Sequence, residues 1–126
     1  MRSFFRTAAF LALGVLVRAE VLNGGEPLRM KVSPIVAREP AILTVRVSVE
    51  AAADNRILRV TAESADFYTS SEVSLDGRNS RPLTVFEFRN LPKGLYEVTG
   101  VLVGAQGQRA TVSSFAQVDA STGWTR

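Results

Sequence analysis

The chain of 126 residues contains no cysteine and no histidine. The first absence excludes disulfides, thiolate metal sites, a cysteine nucleophile and the lipidated cysteine of a lipoprotein. The second removes the side chain that titrates near neutral pH, and with it the commonest general base. With both missing, zinc, copper and haem sites lose their usual ligands, so neither a metal nor a cofactor is expected. Lysine is scarce: Lys31 and Lys93 stand alone, and neither lies three residues after a serine, so a Ser-x-x-Lys pair is absent. A serine hydrolase would lack its base. No apolar run reaches the roughly 20 residues of a membrane-spanning helix.

What is present begins with an export signal over Met1 to Ala19. Arg2 and Arg6 give a basic start, Thr7 to Val17 an apolar run, and Val17-Arg18-Ala19 side chains that a signal peptidase reads. Cleavage after Ala19 is expected, with release into the periplasm or the medium. The formal charge of +3 then disappears with Arg2, Arg6 and Arg18. A neutral remainder gives no electrostatic reason to expect nucleic acid or anionic lipid as a partner. About 107 residues would remain, enough for one domain with one core.

Residues 20–27 are turn-rich and read as a flexible leader. From Leu28 the dominant pattern is alternation with a period of two. In Leu43-Thr44-Val45-Arg46-Val47-Ser48-Val49-Glu50 the apolar positions fall on one face of a strand, and the β-branched valines favour it. Leu28 to Val36 reads as an edge strand interrupted by Pro34. Ile57 to Glu63, Phe67 to Leu75, Leu83 to Arg89, Leu95 to Val103 and Gln108 to Val118 follow, the last two joined by the hairpin loop Gly104 to Gly107. About seven strands without an amphipathic helix predict an all-β, two-sheet antiparallel sandwich over residues 28–119, with a tail over 120–126.

Leu91-Pro92-Lys93-Gly94-Leu95-Tyr96-Glu97-Val98 marks where the chain crosses between sheets. Pro92 presets a turn, Gly94 can take a positive φ, and an inward Tyr96 needs a backbone acceptor for its hydroxyl. Leu91, Gly94 and Tyr96 resemble the tyrosine corner of immunoglobulin-like and fibronectin type III-like domains. The resemblance implies a secreted sandwich of that kind. The same residues also resemble the corner of transthyretin-like and Cna B-type sandwiches, some of which form a Lys–Asn/Asp isopeptide bond. Lys31, Asp119 and Glu87 would take those roles, although alternation turns Lys31 outward.

Other candidates have simpler explanations. Glu87 and Glu97, if on neighbouring strands, offer an acid/base pair, yet exposed carboxylates on strands are commonplace. Gly104-Ala105-Gln106-Gly107 matches a nucleic-acid clamp in letters only. Asp76-Gly77-Arg78-Asn79 lacks the acidic repetition of a calcium loop. Partner-binding candidates are aromatic: Phe67 and Tyr68, adjacent and so unable to face the core together, and Trp124 near the C-terminus. These readings lead to an expected function as an exported non-enzymatic binding module, its partner an envelope or surface protein or a surface polymer. The alternative is a stalk or assembly subunit joined through sheet edges.

Overall fold

A computed structural model describes residues 26–121. The expected signal sequence over 1–19, most of the expected leader and Trp124 lie outside the described residues. Among the described residues eight strands run in chain order: β1 (Leu28–Ser33), β2 (Val36–Arg38), β3 (Ala41–Val49), β4 (Asn55–Glu63), β5 (Tyr68–Ser74), β6 (Leu83–Leu91), β7 (Gly94–Gly104) and β8 (Gly107–Asp119). A 3-10 turn, Gly77–Asn79, precedes β6. Among the described residues no helix is long and apolar enough to cross a membrane.

The strands form two sheets, a three-stranded one in the order β1-β3-β6 and a five-stranded one in the order β2-β8-β7-β4-β5. Alternation decides which side chains lie between them. Leu43, Val45 and Val47 from β3 are fully buried, as are Leu58, Val60 and Ala62 from β4 and Tyr96, Val98 and Leu102 from β7. Each buried valine or leucine contributes roughly 1.5–3 kcal/mol. Phe86 and Phe88 of β6 close the core from the small sheet. A charge at any of these positions would be left without a partner.

Two details correct the expected architecture. The segment Leu28 to Val36 is not one strand: the chain breaks at Pro34 and changes sheet, so β1 pairs with β3 while β2 pairs with β8. The β2–β8 pairing is parallel, with Val36 beside Gln117 and Arg38 beside Asp119. The large sheet is therefore mixed, and a wholly antiparallel sandwich of seven strands is ruled out. Proline explains the break, because it cannot donate to a ladder and sits where one pairing ends.

At the same end of the large sheet β6 passes into β7 through Pro92 and Lys93. Asn90 takes a left-handed φ of 60°, which asparagine tolerates better than most residues. Gly94 has a φ of +154°, and a Cβ there would stand 3.0 Å from the Ser64 Cβ. The buried Tyr96 hydroxyl donates to the Pro92 carbonyl at 2.7 Å. Glu39 ties this corner to the residues just after β8: its Oε1 accepts the Lys93 N–H at 2.9 Å and its Oε2 the Ser121 N–H at 3.1 Å.

Candidate functional site

Residues directly opposed across antiparallel strands share one face of the sheet. Following the registers across the large sheet therefore assembles its outer surface row by row. Phe115 of β8 opposes Glu97 of β7, Glu97 opposes Glu63 of β4, and Glu63 opposes Tyr68 of β5. Two carboxylates thus stand side by side with an aromatic ring at each end. Phe115 and Tyr68 are 56% and 60% exposed, and three strand spacings set them about 14 Å apart.

The next row consists of hydroxyls alone: Ser113, Thr99, Thr61 and Ser70. The Thr99 and Ser113 oxygens lie 3.3 Å apart. Beyond it Arg59 is held by Glu72 at 3.0 Å. On the other flank Leu95 opposes Gln117, which also neighbours Val36, so an apolar corner of Leu95, Val36 and Phe115 adjoins the carboxylate row. None of the main cavities among the described residues is lined by the carboxylate or hydroxyl row, and an open face lacks the concavity that encloses a small molecule.

Directly opposed like charges lower the stability of a sheet. Glu63 and Glu97 meet in that arrangement, and no described ion pair involves either. The row is thus a place where a donor-rich or cationic ligand would relieve an internal repulsion.

The residues singled out in the sequence fall elsewhere, with two exceptions. Tyr68 and Glu97 belong to the row. Phe67 instead packs against the core, its ring edge-on to Tyr96 at 6.4 Å and 72°. Leu91 and Tyr96 are buried and Gly94 is half-buried, all at the corner. Burial holds the Tyr96 phenol above the ordinary tyrosine pKa. The Ser121 N–H, then the Lys93 N–H, hold the Glu39 carboxyl below its ordinary value. Glu87 does not neighbour Glu97: it lies on β6 in the other sheet, paired with Arg89 at 2.8 Å. Lys31 is exposed opposite Arg46, away from any acceptor for an isopeptide bond. Glu63 and Phe115 were not singled out, since only strand order brings them beside Glu97 and Tyr68.

No protein-family model and no curated protein sequence matches the chain. Solved structures do. A superoxide reductase (neelaredoxin) from Ignicoccus hospitalis aligns with a TM-score of 0.60 at 11% identity, over 75% of this chain and 81% of that one. A single-substitution variant of the same reductase aligns with a TM-score of 0.60 at 14% identity, over 79% and 87%. Part of a family 76 glycoside hydrolase from a bovine Bacteroides thetaiotaomicron strain aligns with a TM-score of 0.53 at 17% identity, over 75% of this chain and 20% of that one.

The framework is neelaredoxin-like. This corrects the resemblance drawn from Leu91 to Val98: the similar structures are superoxide reductases, not immunoglobulin-like or fibronectin type III-like domains. It also corrects the expectation of a non-enzymatic binding module or stalk, since the similar structures named as superoxide reductases are enzymes. At these identities the likeness shows the fold alone.

A redox metal can be tested against the side chains on this framework. Transition metals are held by imidazole, thiolate or converging carboxylates. The chain has no histidine or cysteine, and among the described residues no three acidic side chains converge. The residues present do not fit a redox metal centre, and no electron-transfer step follows from them.

Proposed function

We propose that the outer face of the five-stranded sheet is where this chain meets its substrate, an extended polyhydroxylated polymer such as a polysaccharide. The observation that carries the reading is the row Phe115–Glu97–Glu63–Tyr68 with the hydroxyl row beside it. Aromatic faces stack on the C–H surfaces of sugar rings, carboxylates accept hydrogen bonds from sugar hydroxyls, and serine and threonine both donate and accept. An open face suits a polymer laid across the strands, whereas a small molecule needs a concave site. The glycoside hydrolase that shares the fold over part of its length is compatible with such a ligand.

One feature favours a second reading on the same face. Opposed cross-strand residues have Cβ atoms about 4.5–5.5 Å apart, and retaining glycosidases hold their two carboxyl groups about 5–5.5 Å apart. From that Cβ spacing the flexible side chains of Glu63 and Glu97 can bring their carboxyl groups to such a separation, as acid and nucleophile in glycoside cleavage require. Both readings place the chain outside the cytoplasm, in the periplasm or medium, on the strength of the basic and apolar residues 1–19.

Retardation of the protein in native gels cast with different soluble polysaccharides tests the first reading. Tyr68→Ala and Phe115→Ala should each weaken retention by roughly 2–10-fold with an unchanged circular dichroism spectrum. Retention by none of a broad polysaccharide set, or retention indifferent to both substitutions, would refute it. Release of new reducing ends that stops in both Glu63→Gln and Glu97→Gln would establish the second reading.

A further inference from the structure

The outer face of the three-stranded sheet has the opposite character. Lys31 of β1 directly opposes Arg46 of β3, and Arg29 projects from the same face two residues before Lys31. All three are exposed, and none takes part in a described ion pair. The carboxylate on this face, Glu87, is already held by Arg89 at 2.8 Å. Glu26 and Glu50 border Arg29 only at the sheet's end. Opposing Lys31 to Arg46 costs stability, and an anionic surface would offset that cost.

Apolar side chains continue the face toward the edge strand. Val85 opposes Arg46 and Leu83 opposes Ser48, and Leu83, Val85 and Ile42 are 45%, 50% and 44% exposed. A free phosphate ion needs donors converging in a pocket. Here the cations are spread over two strands of an open face, with apolar groups beside them that an ion leaves uncovered. We propose that this face docks on an anionic phospholipid bilayer, the three cations among the headgroup phosphates and Val85 and Leu83 at the headgroup boundary. The charge complementarity and the adjoining apolar rim together select a bilayer over a soluble anion. This inference is independent of the polysaccharide reading, which uses the other sheet.

Co-sedimentation of the full chain with vesicles decides it. The wild type is compared with Arg29→Gln/Lys31→Gln/Arg46→Gln on mixed phosphatidylglycerol–phosphatidylcholine vesicles and on pure phosphatidylcholine. Both proteins carry the same residues 1–27, so the difference reads this face alone. The triple variant should partition on the order of 100-fold more weakly onto the anionic vesicles, at about fivefold per cation. It should match the wild type on neutral ones, and added salt should close the gap. Lys31→Gln alone, expected to lose about fivefold, serves if the triple variant fails to fold.

Equal partition of variant and wild type would overturn the inference. An equal loss of binding to soluble polyphosphate would reassign the face to a free polyanion and overturn the bilayer. So would a change only in oligomeric state, because the Glu63–Glu97 face of a second copy would then be the occupant.

Discussion

Replacing Tyr96 by phenylalanine removes one oxygen from the best-defined corner of the molecule. The ring stays, so burial and its edge-on contact with Phe67 at 6.4 Å are kept. What is lost is the 2.7 Å hydrogen bond to the Pro92 carbonyl. A neutral hydrogen bond contributes about 0.5–1.5 kcal/mol, and a stranded buried acceptor raises the cost toward 3 kcal/mol. Pro92 is only half-buried, so water can reach its carbonyl and the expected loss is about 1–2 kcal/mol. For a domain near 100 residues each kcal/mol lowers Tm by roughly 4–8 °C. The same substitution has a pH signature. Burial raises the folded-state pKa of Tyr96, so its contribution is fully present below the unfolded value of about 10. It falls as pH rises from there through the folded-state value. Urea melts at neutral pH and above pH 10 should therefore show the gap between wild type and variant narrowing in alkali. A neutral-pH gap below about 0.3 kcal/mol, or one that widens in alkali, would refute the reasoning.

Three other outcomes follow from the same geometry. Glu39→Gln should leave the fold intact yet flatten the acid limb of the stability profile. Wild-type Glu39 has a lowered folded-state pKa, so its contribution is present above the unfolded value and disappears as pH falls through the folded one; acid titration followed by far-UV circular dichroism reads this. Gly94→Ala should destabilise by about 1–3 kcal/mol, since it adds a Cβ 3.0 Å from Ser64 at a positive φ, and Ser64→Gly should recover only the part due to the contact. Glu63→Gln should raise Tm slightly, by at most about 1 kcal/mol in stability, and the gain should shrink in high salt; a fall in Tm would show that the carboxylate pair is not repulsive.

Strand positions were legible in the sequence because β-branched residues alternate so regularly. Leu43, Val45 and Val47 announce the inner face of β3, and Leu58, Val60 and Ala62 that of β4. The change of sheet at Pro34 was only half legible: proline marked an interruption, but nothing local says that the residues after it pair in parallel with the last strand. The candidate site was hidden for the same reason. Alternation tells that Glu97 and Glu63 face outward, yet which strand lies next to which depends on long-range pairing. By alternation alone Glu87 is as good a neighbour for Glu97 as Glu63 is, and only strand order separates it into the other sheet. The cations Arg29, Lys31 and Arg46 become a cluster only once β1 is laid against β3. Family resemblance failed because eight residues around Tyr96 describe a corner, and one corner does not specify the framework around it.

The parallel pairing of β2 with β8 also governs how the molecule would respond to tension. Tension that reaches β2 through Ser33, once β1 has parted from β3, and tension at residue 121 draw β2 backward and β8 forward along neighbouring lines. The bonds from Gln117 N–H to the Ile35 carbonyl and from Glu39 N–H to the Asp119 carbonyl, each 2.8 Å, then bear the load at once instead of opening in turn. With the Glu39 carboxylate also gripping the Ser121 N–H, the two ends of the domain are fastened to each other in the direction that resists sliding.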